Sequence, residues 1–140
     1  MDWKLEVVVL PVSDMDRAKA FYSEKAGFNV DVDHRAGEDF RVIQLTPPGS
    51  TCSVTLMRNE QAAGSVQGLH LIVSDIEAAH AELTGRGASI SEFFHFEVGG
   101  QVSGLDPQRA SYGSFFSFAD PDGNGWLVQE VNSADEAQAS

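Results

Sequence analysis

Tyr112–Val131 reads YGSFFSFADPDGNGWLVQEV, and its reading decides the fold. Phe115, Phe116 and Phe118 form a run rich in strand formers. Asp120-Pro121-Asp122-Gly123-Asn124-Gly125 is a dense turn signal, in which proline presets φ and the glycines admit positive φ. Trp126–Val131 is a second strand-like run, so the stretch predicts a hairpin. Taken alone, DPDG is only a turn. Its place in the whole chain gives it weight.

Before the hairpin, Glu97–Ser111 is long, glycine-bearing and irregular, and Ala88–Phe96 reads as a strand. Ser74-Asp75-Ile76-Glu77 is a capping box that opens a helix over Asp75–Arg86, with Gly85 and Gly87 at its end. Gly68–Val73 is the strand that feeds it. The same order stands earlier in the chain. Lys4–Val12 is a strand, and Ser13 with Asp16 caps a helix that runs to about Ala26 and stops at Gly27. Three short strands follow, over Phe28–Asp33, Asp39–Thr46 and Thr51–Met57. Arg58–Val66, RNEQAAGSV, has no apolar period and reads as a linker.

These elements form an internal repeat. Val12-Ser13-Asp14 recurs as Val73-Ser74-Asp75 at an offset of 61 residues, and Gly27 recurs as Gly87 at an offset of 60. Thr46-Pro47-Pro48-Gly49 corresponds to Asp120-Pro121-Asp122-Gly123. The reading is therefore one domain of class α+β, built from two βαβββ modules over about 4–57 and 67–131. The linker is 58–66, and 132–140 is a frayed acidic tail.

A chain of 140 residues with 42% hydrophobic and 21% charged residues can bury a core of its own. Net charge is −12 with nine Lys and Arg, which argues against nucleic acid and anionic membrane as partners. No apolar run has the length of a membrane span, and MDWKLEVVVL carries no cleavage-site pattern. Cys52 is the only cysteine, so no internal disulfide can form and a cytoplasmic location is expected.

The paired βαβββ modules, the Ser-Asp start of each helix and the DPDGN turn together resemble the vicinal oxygen chelate superfamily. That superfamily includes glyoxalase I, the bleomycin-resistance proteins and the extradiol dioxygenases, and the resemblance runs from Leu5 to about Val131. It implies curved mixed sheets forming a cup, helices outside, a ligand site within and commonly a homodimer. It also implies metal-ligand positions, which fall here on Val7, Gly68, Leu127 and Ser53, with Thr55 on the same face. Val, Gly and Leu side chains ligate no metal, and Ser or Thr is a poor ligand beside His and carboxylate. The expectation is a site without a metal.

Strand alternation assigns the faces. Val7, Val9, Ser53, Thr55, Met57, Gly68, His70, Ile72, Leu127 and Gln129 share the parity of the cup. Val8, Leu10, Val54, Leu56, Leu69, Leu71, Val73, Trp126 and Val128 share the parity of the helices, as do Glu6 and Glu130. His70 is the leading functional candidate, although a half-buried strand histidine satisfied by a hydrogen bond fits the same pattern. Gln129 can donate and accept at once, or be a plain rim residue. His95, in Phe93-Phe94-His95-Phe96, is placed to reach the pocket mouth, and alternation alone also accounts for a polar residue there. His34 and His80 read as surface or helix-edge residues, and Cys52 as a buried small hydrophobe. Loop 97–111 is longer than most connections and is a candidate lid, with Arg109 and Tyr112 as ligand contacts.

Three functions compete. The first is metal-free binding of a small organic molecule, of resistance or sequestration type. The second is a metal-dependent lyase, isomerase or dioxygenase of the glyoxalase type. It needs a shifted strand register, or ligands drawn from His70, His95 and Glu130, and a divalent Ni, Zn, Fe or Mn. The third is metal-free acid–base catalysis with His70 or Glu130 as the base.

Overall fold

The computed structural model describes residues 1–132; the acidic tail beyond lies outside them. The chain divides into two compact units. One comprises Met1–Gln67 with Asp120–Asn124, and the other Gly68–Ala119 with the segment from Gly125 onward. Among the described residues no helix is long and apolar enough to cross a membrane.

The first unit holds β1 (Val7–Val12), α1 (Met15–Ala20) running into a π-helical turn (Phe21–Lys25), β2 (Asn29–Ala36), β3 (Phe40–Thr46) and β4 (Ser53–Arg58). Its sheet order is β1-β4-β3-β2, with β1 parallel to β4 and the other pairs antiparallel. Leu10, Val12, Ile43, Leu45 and Leu56 are fully buried, and Met15, Ala18 and Tyr22 of the helical segment are buried too. Apolar burial of this one face is the main stabilising term. Val7 and Val9, of opposite parity, remain 37% and 53% exposed.

Asp14 and Asp75, not Ser13 and Ser74, cap the helices, their carboxylates accepting from the amides of Arg17 and Ala78. Ser13 is occupied elsewhere, donating its amide and its hydroxyl to Asp122. That bond explains the DPDGN segment. Asp120 accepts the Tyr22 hydroxyl at 2.8 Å and the Asn124 amide nitrogens. Asn124 Nδ2 also donates to the Pro11 carbonyl at 3.0 Å, and its Oδ1 accepts from the Val66 amide at 3.1 Å. Segment 58–66 is thus more than a spacer. At Gly64 (φ +82°) a Cβ would sit 2.1 Å from the Asp122 carbonyl oxygen, so only glycine fits the approach.

The second unit holds β5 (Leu69–Val73), α2 (Ile76–Gly85), β6 (Phe94–Glu97), β7 (Gly100–Ser103), β8 (Phe115–Ala119) and β9 (Gly125–Glu130). Its order is β5-β9-β8-β6-β7, again with one parallel pair, β5 with β9. The expected strand over 88–96 is shorter: Ile90 makes an isolated bridge to Phe118 and regular pairing begins at Phe94. Part of the expected loop is also ordered as strand, because Gly100–Ser103 returns as a hairpin on β6. Val98 and Gly99 make that tight reversal, with Gly99 at φ +109° and Gly100, the first residue of β7, at φ +129°. Ile76, Phe116, Trp126 and Val128 are buried. The fold class is α+β, with two mixed, open sheets and two α-helices among the described residues, and the β1–β4 repeat reappears in the second unit with one strand added.

Candidate functional site

In the second unit, alternation along β9 separates two chemistries. Trp126, Val128 and Glu130 are buried, whereas Leu127 and Gln129 of the other parity are half-buried. The register aligns His70 with Leu127 and Ile72 with Gln129, and then Gln129 with Phe115 and Phe115 with Phe94. One open sheet face therefore carries His70, Ile72, Leu127, Gln129, Phe115 and Phe94, and Phe96 follows two residues along β6.

The phenylalanines form a connected wall. Phe94 and Phe115 stack with centroids 5.5 Å apart, and Phe96 meets Phe115 edge-on at 5.3 Å. Phe96 is 58% exposed and Ile72 46%. Neither Phe94 nor Phe96 is among the site residues expected from the sequence; the available signal is the alternation in Phe93-Phe94-His95-Phe96.

Two polar groups stand on this face with free acceptor capacity. The Gly68 carbonyl can only accept, so His70 Nδ1 donates to it at 2.8 Å, and neutral His70 carries its lone pair on Nε2 at the exposed end. Gln129 donates from Nε2 to the Tyr112 carbonyl at 3.1 Å, which orients its amide. Gly68 itself has φ +78°, and a Cβ added there would meet nothing within 4 Å, so the backbone conformation, not a close contact, calls for glycine.

His95 lies elsewhere. It has the parity of Phe93, the residue before β6, whose ring meets His80 of α2 at 4.4 Å, and it is 4% exposed. Its Nδ1 faces the Gly104 carbonyl at 2.8 Å and its Nε2 the Glu97 carboxylate at 2.7 Å. Two acceptors call for two protons, and the Glu97 contact, then the Gly104 carbonyl, raise its pKa above the usual histidine value. His80 is half-buried, with Nε2 on the Ser91 carbonyl at 3.1 Å.

Glu130 lies under the sheet on the α2 side. Arg109 binds it in parallel, Nε to Oε1 at 2.8 Å and Nη2 to Oε2 at 2.6 Å, and the Ile76 amide donates to Oε2 at 3.1 Å. The guanidinium beside it holds its carboxyl below the usual carboxylate range, against the opposing effect of burial. Arg109 is therefore a structural partner of Glu130 and, through Nη1, of Glu77 at 2.7 Å. Loop 104–114 is tied down further by Asp106, which accepts from the Ala110 amide, and by Ser114, which accepts from the Asp106 amide.

His70, His95 and Glu130 are thus not gathered around one point, and each already bonds another group: His70 the Gly68 carbonyl, His95 Gly104 and Glu97, and Glu130 Arg109 and the Ile76 amide. Among the described residues no group of three or more His, Cys, Asp or Glu is arranged to hold a metal ion.

In the first unit the open face is mixed. Val7 aligns with Ser53 and Val9 with Thr55, while Thr55 faces Gln44 on β3. Thr46 donates its hydroxyl to Asp31 and so accepts from Ser53 at 2.6 Å, which spends the polarity of Ser53 internally. Met57 lines a separate cleft of about 400 Å³ with Ser13, Asp16, Arg35, Arg41 and Arg58. Its charges are largely matched: Arg41 grips Asp33 with two bonds of 2.9 Å and Asp16 with one of 2.7 Å, and Arg58 pairs with Glu60. Cys52 is half-buried, not fully buried, and His34 is exposed on β2.

Comparison with known proteins covers nearly the whole chain. The model of the Glyoxalase/Bleomycin resistance protein/Dioxygenase superfamily matches residues 4–128. The chain belongs to that superfamily. It is 26% identical over 127 residues to YetH of Bacillus subtilis (strain 168), an uncharacterized protein, covering 91% of this chain and 98% of that one. It resembles the crystal structure of TnmS3, an antibiotic binding protein from Streptomyces sp. CB03234, with TM-score 0.72 and 27% identity over 94% of this chain and 98% of the other. A glyoxalase/bleomycin resistance protein from the same Streptomyces matches with TM-score 0.68 and 29% identity, over 91% and 100%.

Proposed function

We propose that this superfamily member binds and sequesters a small, neutral, ring-containing organic molecule on the open face of the second unit's sheet. The observation that carries the reading is the composition of that face. An exposed apolar surface, Ile72 and Phe96, adjoins Leu127 and the two oriented polar groups of His70 and Gln129. Apolar area supplies the affinity and a few placed hydrogen-bonding groups supply orientation. Net charge of −12 disfavours anionic ligands at long range. The likeness to an antibiotic binding protein supports the same class of ligand.

A second reading has one specific observation behind it. His70 is exposed and its Nδ1 is taken by the Gly68 carbonyl, so in that tautomer Nε2 is the ring nitrogen left to accept a proton, as a general base must. Binding alone and base catalysis part in the fate of the ligand.

The test is a thermal-shift screen of neutral polycyclic antibiotics in chelator-treated buffer, followed by titration calorimetry and mass spectrometry of the recovered ligand. Saturable binding with the ligand returned intact supports sequestration. A ligand returned altered, with the change lost in His70→Ala, supports catalysis. No saturable binder across the screen contradicts both.

A further inference from the structure

Tyr112 has φ +68°, in the left-handed region that bulky side chains avoid. Glycine or asparagine would take that conformation at little cost, so the backbone alone gives no reason for a tyrosine. Its backbone is nonetheless fixed on both sides. The amide donates to the Glu130 carbonyl at 2.7 Å, and the carbonyl accepts from Gln129 Nε2 at 3.1 Å. Three residues earlier Arg109 is also left-handed, at φ +50°, and is held by its paired bonds to buried Glu130. Strain retained at two positions three residues apart, and braced by an ion pair to a buried carboxylate, is the pattern of a group held for use.

The ring is 46% exposed. With Phe96 it is one of the two Phe, Tyr or Trp rings exposed among the described residues of the second unit. Its own carbonyl is the partner of Gln129, a residue of the open face, so Tyr112 stands at the edge of that face.

We infer that Tyr112 is a specificity-determining residue of the open face, presenting its ring to stack on a flat unsaturated ligand, with Arg109 and Gln129 as positioning residues. This rests on the small-molecule reading above. An aromatic surface favours a planar π-system over a saturated ring of equal size, because ring faces and edges interact beyond the area they bury. The polar groups beside it accept hydrogen bonds, so a ring hydroxyl completes the match.

The experiment uses the full chain and the neutral fluorophore N-phenyl-1-naphthylamine, displaced by 2-naphthol or by decahydro-2-naphthol, which keeps the hydroxyl and loses planarity. Wild type should prefer 2-naphthol. Tyr112→Gly and Tyr112→Asn should weaken 2-naphthol roughly tenfold and leave decahydro-2-naphthol within about twofold. Both variants should keep or raise Tm, since strain is released, and Tyr112→Phe should behave as wild type. Arg109→Met should lower the preference for the flat ligand even where the protein is fully folded. Wild-type protein that binds none of the three probes would sink the small-molecule reading itself. Wild-type binding with unchanged preference in the Gly and Asn variants, or a Tm lowered in both, would overturn the role of Tyr112 alone.

Discussion

Arg109 closes on Glu130 through two parallel hydrogen bonds, 2.8 and 2.6 Å long, and so joins loop 104–114 to β9. Glu130 is 6% exposed at its side chain and Arg109 39%, so the carboxylate bears most of the desolvation. Arg109→Met leaves that carboxylate with the Ile76 amide as its remaining partner. The expected loss is about 1–3 kcal/mol, below that of a fully buried pair because the guanidinium is solvated. Urea denaturation monitored by circular dichroism measures it.

The same pair sets an acid limb. Glu130 has its folded pKa depressed below the ordinary value of 4.5. Its contribution is therefore fully present above about pH 4.5 and is lost as pH falls through the lower folded value. Glu130→Gln should flatten this limb of the stability profile relative to wild type. An unchanged acid limb in Glu130→Gln would show that the pair does not set it.

His95 works with the opposite sign. Its folded pKa is raised, so its stabilising contribution is complete below about pH 6.5 and fades as pH rises through the folded value. The imidazole resonances should titrate above the free-histidine value in an NMR pH series. His95→Gln should remove the corresponding alkaline change in denaturation midpoint.

Asn124 is fully buried and bonds Pro11, Asp120 and Val66 at once. Asn124→Ala should cost about 1–3 kcal/mol, because it removes the partner of a half-buried carbonyl and a half-buried amide and leaves buried Asp120 with one bond fewer. Tyr22→Phe, which removes a single hydroxyl from Asp120, should cost about 1 kcal/mol. Thermal melts of the two variants give the ranking directly.

Much of this was legible from the sequence. The repeat, the fold class and the face assignments along β1, β4, β5 and β9 follow from period-two alternation anchored by the two Ser-Asp helix starts. Glu130 falls on the helix side as its parity requires. What escaped was long-range or irregular. The partner of Glu130 is 21 residues away in a loop without periodicity, so nothing local marks Arg109 as structural. Phe94 and Phe96 were hidden because the strand before them begins late: one isolated bridge at Ile90 separates it from the pattern used to count faces. Placing β6 correctly puts the phenylalanines on the open face and His95 behind it. Gly68 was placed by the repeat at a metal-ligand position, and its positive φ is a backbone requirement that a one-letter code does not display.

The most direct measurement is chemical-shift mapping of the isotope-labelled protein titrated with 2-naphthol. Ligand binding on the open face should give saturable shifts at His70, Ile72, Phe96, Tyr112, Leu127 and Gln129. Shifts gathered instead around Arg35, Arg41 and Arg58, or none at all as 2-naphthol approaches its solubility limit, would contradict binding at that face.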